Sequence, residues 1–356
     1  MNRRSARFFA AANSGKGFFS LFREVFSPEK FDRIYIIKGG PGCGKSTMMK
    51  KLGAEAELRG YDAEYVLCAS DPESLDGVII RSLGVAVADG TSPHVMEPQY
   101  PVAVEETVDL YGCLDPSRLV GKRDEIISAS RAAAHETDTA YRYLSALGDI
   151  LGGMRAALAP CWDAPKAERA AERIVGKMHS GGTGARLFIG AECGKGEYRS
   201  DSFFGRARIR YAVTGKFRSG ELFVTELCRA AKKAGVAVTE FCSPVCPSLA
   251  EAVYFENDGV YFAVCGDDEA EKYDRRVNVM RFIDKKRLSE IRGRLRFSER
   301  CAEALSSGAA ESFSAAGRAH AELEMIYGDA MDFSLADEKY SELREKIFGK
   351  TEIIKN

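Results

Sequence analysis

Gly39-Gly40-Pro41-Gly42-Cys43-Gly44-Lys45-Ser46 reads as a complete phosphate-binding loop, and it stands where such a loop has to stand. Arg33-Ile34-Tyr35-Ile36-Ile37 before it is a short β-rich apolar run, the mark of a buried strand, and Thr47-Met48-Met49-Lys50-Lys51-Leu52 after it begins a helical pattern. Glycines let backbone N–H groups curl around a phosphate without Cβ clashes, and the helix N-terminus adds its positive dipole. Lys45 is placed to reach the β- and γ-phosphates, Ser46 to ligate Mg²⁺, and Thr47 to close the cradle. A glycine-rich turn that happens to end in Lys-Ser is the alternative, and the flanking strand and helix argue against it. The expectation is a nucleoside triphosphate, ATP or GTP, bound with Mg²⁺.

The rest of the composition narrows the setting. With 356 residues the chain can hold two cores, and 45% apolar with 29% charged residues is ordinary for a globular protein. A net charge of −1 carries no nucleic-acid signal and none for an acidic membrane surface, although a protein partner or a homo-oligomer remains open. The longest apolar runs, such as Leu83-Gly84-Val85-Ala86-Val87-Ala88, are strand-sized, and the basic start Met1 to Arg7 leads into an apolar run too short for a signal peptide. Ten cysteines without a framework spacing suit a reducing, cytoplasmic compartment. Cys242 and Cys246 form an isolated C-x₃-C without a second ligand pair, so buried thiols are the plainer reading than zinc.

The chain is written twice. Phe9-Ala10-Ala11-Ala12-Asn13-Ser14-Gly15-Lys16-Gly17 is echoed by Phe188-Ile189-Gly190-Ala191-Glu192-Cys193-Gly194-Lys195-Gly196, and Tyr35-Ile36-Ile37-Lys38-Gly39 by Tyr211-Ala212-Val213-Thr214-Gly215. Ser74-Leu75 returns as Ser248-Leu249, and Leu114-Asp115-Pro116-Ser117-Arg118-Leu119 as Ile283-Asp284-Lys285-Lys286-Arg287-Leu288. Four weak echoes in one order imply an internal duplication. The expected division is 1–180 and 181–356, at the glycine-rich Ser180-Gly181-Gly182-Thr183-Gly184. Each half reads as an α/β unit with a parallel sheet followed by a helical extension. In the first, strands are expected over 33–38, 63–69 and 84–89, helices over 44–59 and 73–81, then a long helix from Leu119 and another between Ala164 and Met178. In the second, strands fall near 208–214, 236–242 and 259–264, with helices from about 284 to 348.

Val85-Ala86-Val87-Ala88-Asp89 is an apolar run ending in a carboxylate at the carboxyl end of a strand, the pattern of an aspartate that holds Mg²⁺ through water opposite Ser46. Asp89-Gly90 is also good turn chemistry. Loops at the carboxyl ends of strands collect ligands, and they deliver Asp71 and His94 as candidate bases. Asp71 serves equally well as a cap for a helix at Ser74, and His94 as a plain loop histidine. Gly90 stands where many motor-type ATPases carry a water-polarising glutamate, so fast uncoupled hydrolysis is not favoured. In the second half Gly215-Lys216-Phe217-Arg218-Ser219-Gly220-Glu221-Leu222 replaces the loop, with Glu221 in the place of Lys45 and Leu222 in that of Ser46. A carboxylate repels a triphosphate and leucine cannot hold Mg²⁺. Arg206, Arg208, Arg210, Lys216 and Arg218 cluster in sequence here, as a solvated edge, a site for another anion, or groups facing the first nucleotide.

On the glycine loop, the stretch Asp71 to Ile80 and Val87-Ala88-Asp89-Gly90-Thr91-Ser92-Pro93-His94, the chain resembles an uncharacterised bacterial family of tandem P-loop ATPase-like proteins, within the P-loop NTPase superfamily. The resemblance implies ATP or GTP binding with Gly42, Gly44, Lys45 and Ser46 as phosphate and metal contacts, and it departs from the pattern at Glu221 and Leu222. The leading expectation is an ATPase or nucleotide-dependent switch, with Lys45, Asp89 and Asp71 as the catalytic set. A small-molecule or nucleotide kinase, using Asp71 as base and Arg118, Arg123 or Arg131 as a lid, is the alternative. A non-hydrolysing nucleotide-sensing scaffold is the third. A third strand directly beside the loop strand suits a kinase-like core, and an intervening strand suits the motor-type ATPases.

Overall fold

A computed structural model describes residues 5–181 and 184–349. Gly182 and Thr183, at the expected boundary, and the first four residues of the basic start lie outside the described residues. In chain order the first half forms β1 (Ala6–Phe9), β2 (Ala11–Ser14), β3 (Gly17–Ser20), α1 (Phe22–Val25), β4 (Arg33–Lys38), α2 (Lys45–Leu58), β5 (Glu64–Leu67), β6 (Leu75–Ile80), β7 (Val85–Asp89) and β8 (Glu105–Asp109). Three helices follow: α3 (Pro116–Gly121), α4 (Arg123–Leu158) and α5 (Ala164–Val175). The second half runs β9 (Ala185–Leu187), β10 (Gly190–Cys193), β11 (Gly196–Arg199), α6 (Ser202–Arg206), β12 (Ile209–Thr214), α7 (Ser219–Lys233), β13 (Thr239–Cys242), β14 (Ala250–Phe255), β15 (Val260–Val264) and β16 (Arg275–Asn278). It ends in α8 (Lys285–Asp329) and α9 (Phe333–Phe348).

The duplication is visible in the sheets. One has the order β1-β5-β6-β7-β4-β8 and the other β9-β13-β14-β15-β12-β16, which is the same order strand for strand. Even an irregularity recurs, between Val66 and Leu67 in one sheet and between Phe241 and Cys242 in the other. The sheets are mixed, not parallel as the sequence suggested. β4 runs parallel to β7 and β8, while β5, β6 and β7 form an antiparallel meander. The reason is connection length, because only Arg81–Gly84 separate β6 from β7, and a parallel crossover needs a dozen residues or more.

Residues 73–81, expected as a helix, supply strand β6. Val78, Ile79 and Ile80 are β-branched, and every residue of β6 is buried, as in a central strand covered on both faces. Gly77 is required there, since a Cβ would lie 2.4 Å from the Phe26 ring. The helix capped by Asp71 therefore does not exist.

The chain forms two compact units that do not follow one cut at 180/181. The first takes the chain up to Ala10, Phe22–Thr139 and everything from Glu311; the second takes Ala11–Leu21 and Ala140–Ala310. Each half thus lends a piece to the other unit. Helix α9, from the second half, packs in the first unit through the Arg344–Glu55 ion pair (2.7 Å) and the Lys346–Glu106 pair. Helix α5, from the first half, sets Ala167, Ala171 and Val175, four residues apart, against Phe223 and Leu227 of α7 in the core of the second unit. There the hairpin β2–β3 meets β10–β11, with Asn13 Nδ2 donating to the Glu192 carbonyl at 2.9 Å and Tyr141 Oη donating to Asn13 Oδ1 at 2.8 Å. The isolated bridges Leu114–Met331 and Trp162–Ile283 stand at equivalent places in the two units.

Candidate phosphate-binding site

The site grows out of the junction of β4 with α2. Ile34, Tyr35, Ile36 and Ile37 bury β4 between β7 and β8 of the first sheet, and its carboxyl end opens on the loop Gly39–Gly44. Gly42 (φ +69°) and Gly44 (φ +82°) take the left-handed conformation that glycine adopts freely. Gly44 is the N-cap of α2 and offers no side-chain cap, so the first N–H groups of the helix, which no helix can satisfy itself, receive no side-chain partner from it. Gly42 also packs tightly, since a Cβ there would stand 2.3 Å from the Glu324 carbonyl oxygen of α8, and the Tyr327 ring covers Gly40.

Lys45 is turned inward. Its Nζ donates to the carbonyls of Gly39 and Gly40, both at 2.9 Å, and lies 3.7 Å from Asp89 Oδ2. The two side chains are only 13% and 15% exposed, so a solvent-facing lysine is not what the loop holds. Asp89 reaches this position because β7 pairs directly with β4, Ile37 opposite Asp89. Its two oxygens divide the work. Oδ1 accepts from Thr91 N (2.8 Å) and Thr91 Oγ1 (2.6 Å), closing the turn, while Oδ2 faces Lys45. One side chain thus closes the turn and directs its second oxygen toward the lysine of the loop. Ser46 Oγ accepts from Leu75 N at 3.0 Å, which leaves the hydroxyl a further lone pair for a cation. Gly90 could not be a glutamate, because any Cβ would lie 2.3 Å from Ile36 Cγ2.

Asp71 stays outside this group. It is exposed, and its Oδ1 accepts from Glu73 N at 3.2 Å in a local turn. His94 is buried, with Nε2 2.9 Å from Asp76 Oδ2 and its ring stacked on Phe22 at 4.0 Å. Asp76, fully enclosed at the start of β6, is the residue that the sequence reading missed. Burial raises its carboxyl above the usual range, with Asp89 adding to the rise and His94 opposing it. A strand reading of 75–80 would have placed Asp76 on the strand next to Asp89. Arg118 and Arg123 do not form a lid in this arrangement: Arg118 Nη1 donates to the Asp329 carbonyl at 2.7 Å, and Arg123 pairs with Asp124. Cys43 is buried, and burial raises its thiol, so the oxidation-prone thiolate is disfavoured.

In the second unit the equivalent loop is a different object. Helix α7 begins at Ser219, with Arg218 (φ +56°) as its N-cap, so Gly220 lies inside the helix. The helix therefore starts two positions earlier than α2 does and consumes the cradle. Glu221 is buried and takes two hydrogen bonds from Arg218, at 2.8 Å to Nε and 2.5 Å to Nη2. The basic stretch divides: Arg208 bonds the Asp258 carbonyl, Arg210 bonds Asp274 and Arg206 lies over Phe203, while Lys216 and Arg218 line one cavity.

The ten cysteines are free thiols. Among the described residues no helix is long and apolar enough to cross a membrane. Compared with protein-family models, with curated proteins and with solved structures, the chain matches none.

Proposed function

We propose that the chain binds one nucleoside triphosphate, ATP or GTP, at Gly39–Thr47 of the first unit and works as an ATPase-type nucleotide-dependent switch. The observation that carries this reading is the meeting of Lys45, the first residue of α2, with Asp89, at the end of the strand beside β4, next to a loop of left-handed glycines that opens the helix. Nucleotide entry would draw Lys45 from the Gly39 and Gly40 carbonyls onto phosphate oxygens, exchanging neutral acceptors for charged ones. The α2 N–H groups would hold the remaining phosphate oxygens. Ser46 and Asp89 would hold Mg²⁺, which when bound neutralises phosphate charge. Without a glutamate at position 90, water activation is weak, and turnover suits a switch better than a motor. The buried Asp76–His94 pair backs Asp89 from the neighbouring strand. The resemblance to tandem P-loop ATPase-like proteins and the ten free thiols support a cytoplasmic setting, where a protein partner or a second copy would read the switch.

One observation favours a second reading. No strand intervenes between β4 and β7, which is the arrangement expected of a kinase-like core. Phosphate release from ATP and GTP, measured alone and against a panel of nucleosides and metabolites, separates the readings. Release without an acceptor, lost in Lys45→Ala, supports the switch. Diphosphate formed only with an acceptor supports a phosphotransferase. Tight binding with neither leaves a non-hydrolysing sensor.

A further inference from the structure

The second unit has lost the phosphate cradle but holds a large cavity beside the remnant loop. Its volume is about 920 Å³, within the range of small-molecule sites. One wall is a single face of α8, because Lys285, Leu288, Arg292, Arg296 and Glu299 recur at three and four residues. Arg292 and Arg296 are like charges at i, i+4, an arrangement that costs helix stability unless an anion lies between them. With Lys285 and Lys216 they make four lining cations, none of which is in an ion pair among the described residues. Glu299, Glu269 and Glu197 also line the cavity and temper this charge, Glu299 through Arg296 and Lys216 in particular.

The inner end differs in chemistry. Arg218 is already committed to Glu221, and Arg199 Nη1 donates to the Val264 carbonyl at 3.0 Å. Glu251 lines the cavity at 5% exposure, and neither of its carboxylate oxygens accepts a hydrogen bond among the described residues. A buried carboxylate without a donor is costly, so the position calls for a hydroxyl from a ligand. Burial pushes its carboxyl up to about 7, with Arg199 and Arg218 opposing the rise and Glu197 and Glu221 adding to it, so it passes between acceptor and donor near neutral pH. Glu251 stands in β14 where Asp76 stands in β6. The duplicated carboxylate is thus closed off by a histidine in one unit and left facing a cavity in the other.

We infer that this cavity binds a small phosphate monoester of a polyhydroxylated molecule, its phosphate held by Arg292 and Arg296 with the two lysines, and its hydroxyls by Glu251. Arginine forks match phosphate oxygens in bidentate geometry, which a neutral polyol does not offer. The site does not rest on nucleotide binding in the first unit.

The test uses the full chain without nucleotide, at constant ionic strength. Titration calorimetry and thermal melting are run with a hexose 6-phosphate, a pentose 5-phosphate and glycerol phosphate, against inorganic phosphate and the parent hexose. At least one ester should bind tenfold or more tighter than both controls. Arg292→Ala/Arg296→Ala should reduce that affinity at least tenfold, and Glu251→Gln should reduce it and leave only the pH dependence of the phosphate's own ionisation at about pH 6. Lys45→Ala should change nothing, which separates this site from the first. If no ester binds better than inorganic phosphate, the proposal is overturned. Binding that survives the double arginine change in a chain whose melting curve is intact overturns it too.

Discussion

Asp89 divides its carboxylate between two partners: Oδ1 closes the turn onto Thr91 at 2.8 and 2.6 Å, and Oδ2 faces Lys45 at 3.7 Å. The turn fixes the side chain's direction, so the second oxygen is held toward the glycine loop without further support. A preset carboxylate of this kind costs little ordering entropy when a cation arrives.

Asp89→Asn should therefore weaken the Mg²⁺-dependent part of nucleotide binding by about tenfold or more, equivalent to ~1.4 kcal/mol. The amide oxygen can still accept from Thr91, so the fold should hold. Metal-free affinity should stay level or rise slightly, because a repulsive charge has gone. Nucleotide titrations with Mg²⁺ and with chelator check this; full activity at limiting Mg²⁺ would leave Asp89 as a turn residue alone.

Gly42→Ala should destabilise the first unit. The left-handed backbone costs an alanine roughly 1–2 kcal/mol, and its Cβ would press on the Glu324 carbonyl at 2.3 Å, where helix backbone has little room to yield. Gly44→Ala shares the backbone strain but has open space around its Cβ, so it should cost less. Thermal or urea unfolding of the two variants gives the comparison, and equal losses would remove the α8 contact from the account.

Stability should fall as pH rises from about 5 to about 7. Burial, with help from Glu197, pushes the Glu192 carboxyl up to about 7, while Ser306 and Arg218 oppose the rise. A carboxyl raised in the folded chain binds more protons there than in the unfolded chain. Its contribution is favourable at low pH and is lost as pH climbs through the folded value. Glu192→Gln should flatten the slope by about 1–3 kcal/mol across that window, in urea unfolding followed at several pH values. An unchanged slope would show that Glu192 ionises freely.

What could be read from the sequence was local. The loop, its strand and its helix were legible because glycines, an apolar run and a lysine-serine pair fall within a few residues. The doubling was legible because echoes keep their order. Strand β6 was not, since Pro72 and Glu73 resemble a helix start and the apolar run after Gly77 has no clear period. The mixed sheets were hidden in the four-residue link Arg81–Gly84, which permits a hairpin but no crossover. The stripe Ala167, Ala171, Val175 announces that α5 needs an apolar partner without saying that the partner is α7 of the other half. Asp76 with His94 is a pairing across a fold, and no short window contains it.

The central claim is one nucleotide per chain, held by the first unit. Losing the cation and the metal ligand at Glu221 and Leu222 removes charge-assisted contacts worth roughly 1.5–3 kcal/mol each, and the early start of α7 removes the cradle itself. The direct measurement is calorimetric titration of the full chain with ATP and with GTP at saturating Mg²⁺, repeated on Lys45→Ala. A stoichiometry of about one, abolished by Lys45→Ala in a chain with an unchanged melting curve, is the predicted result. Two sites of comparable affinity, or one that survives Lys45→Ala, would contradict the account.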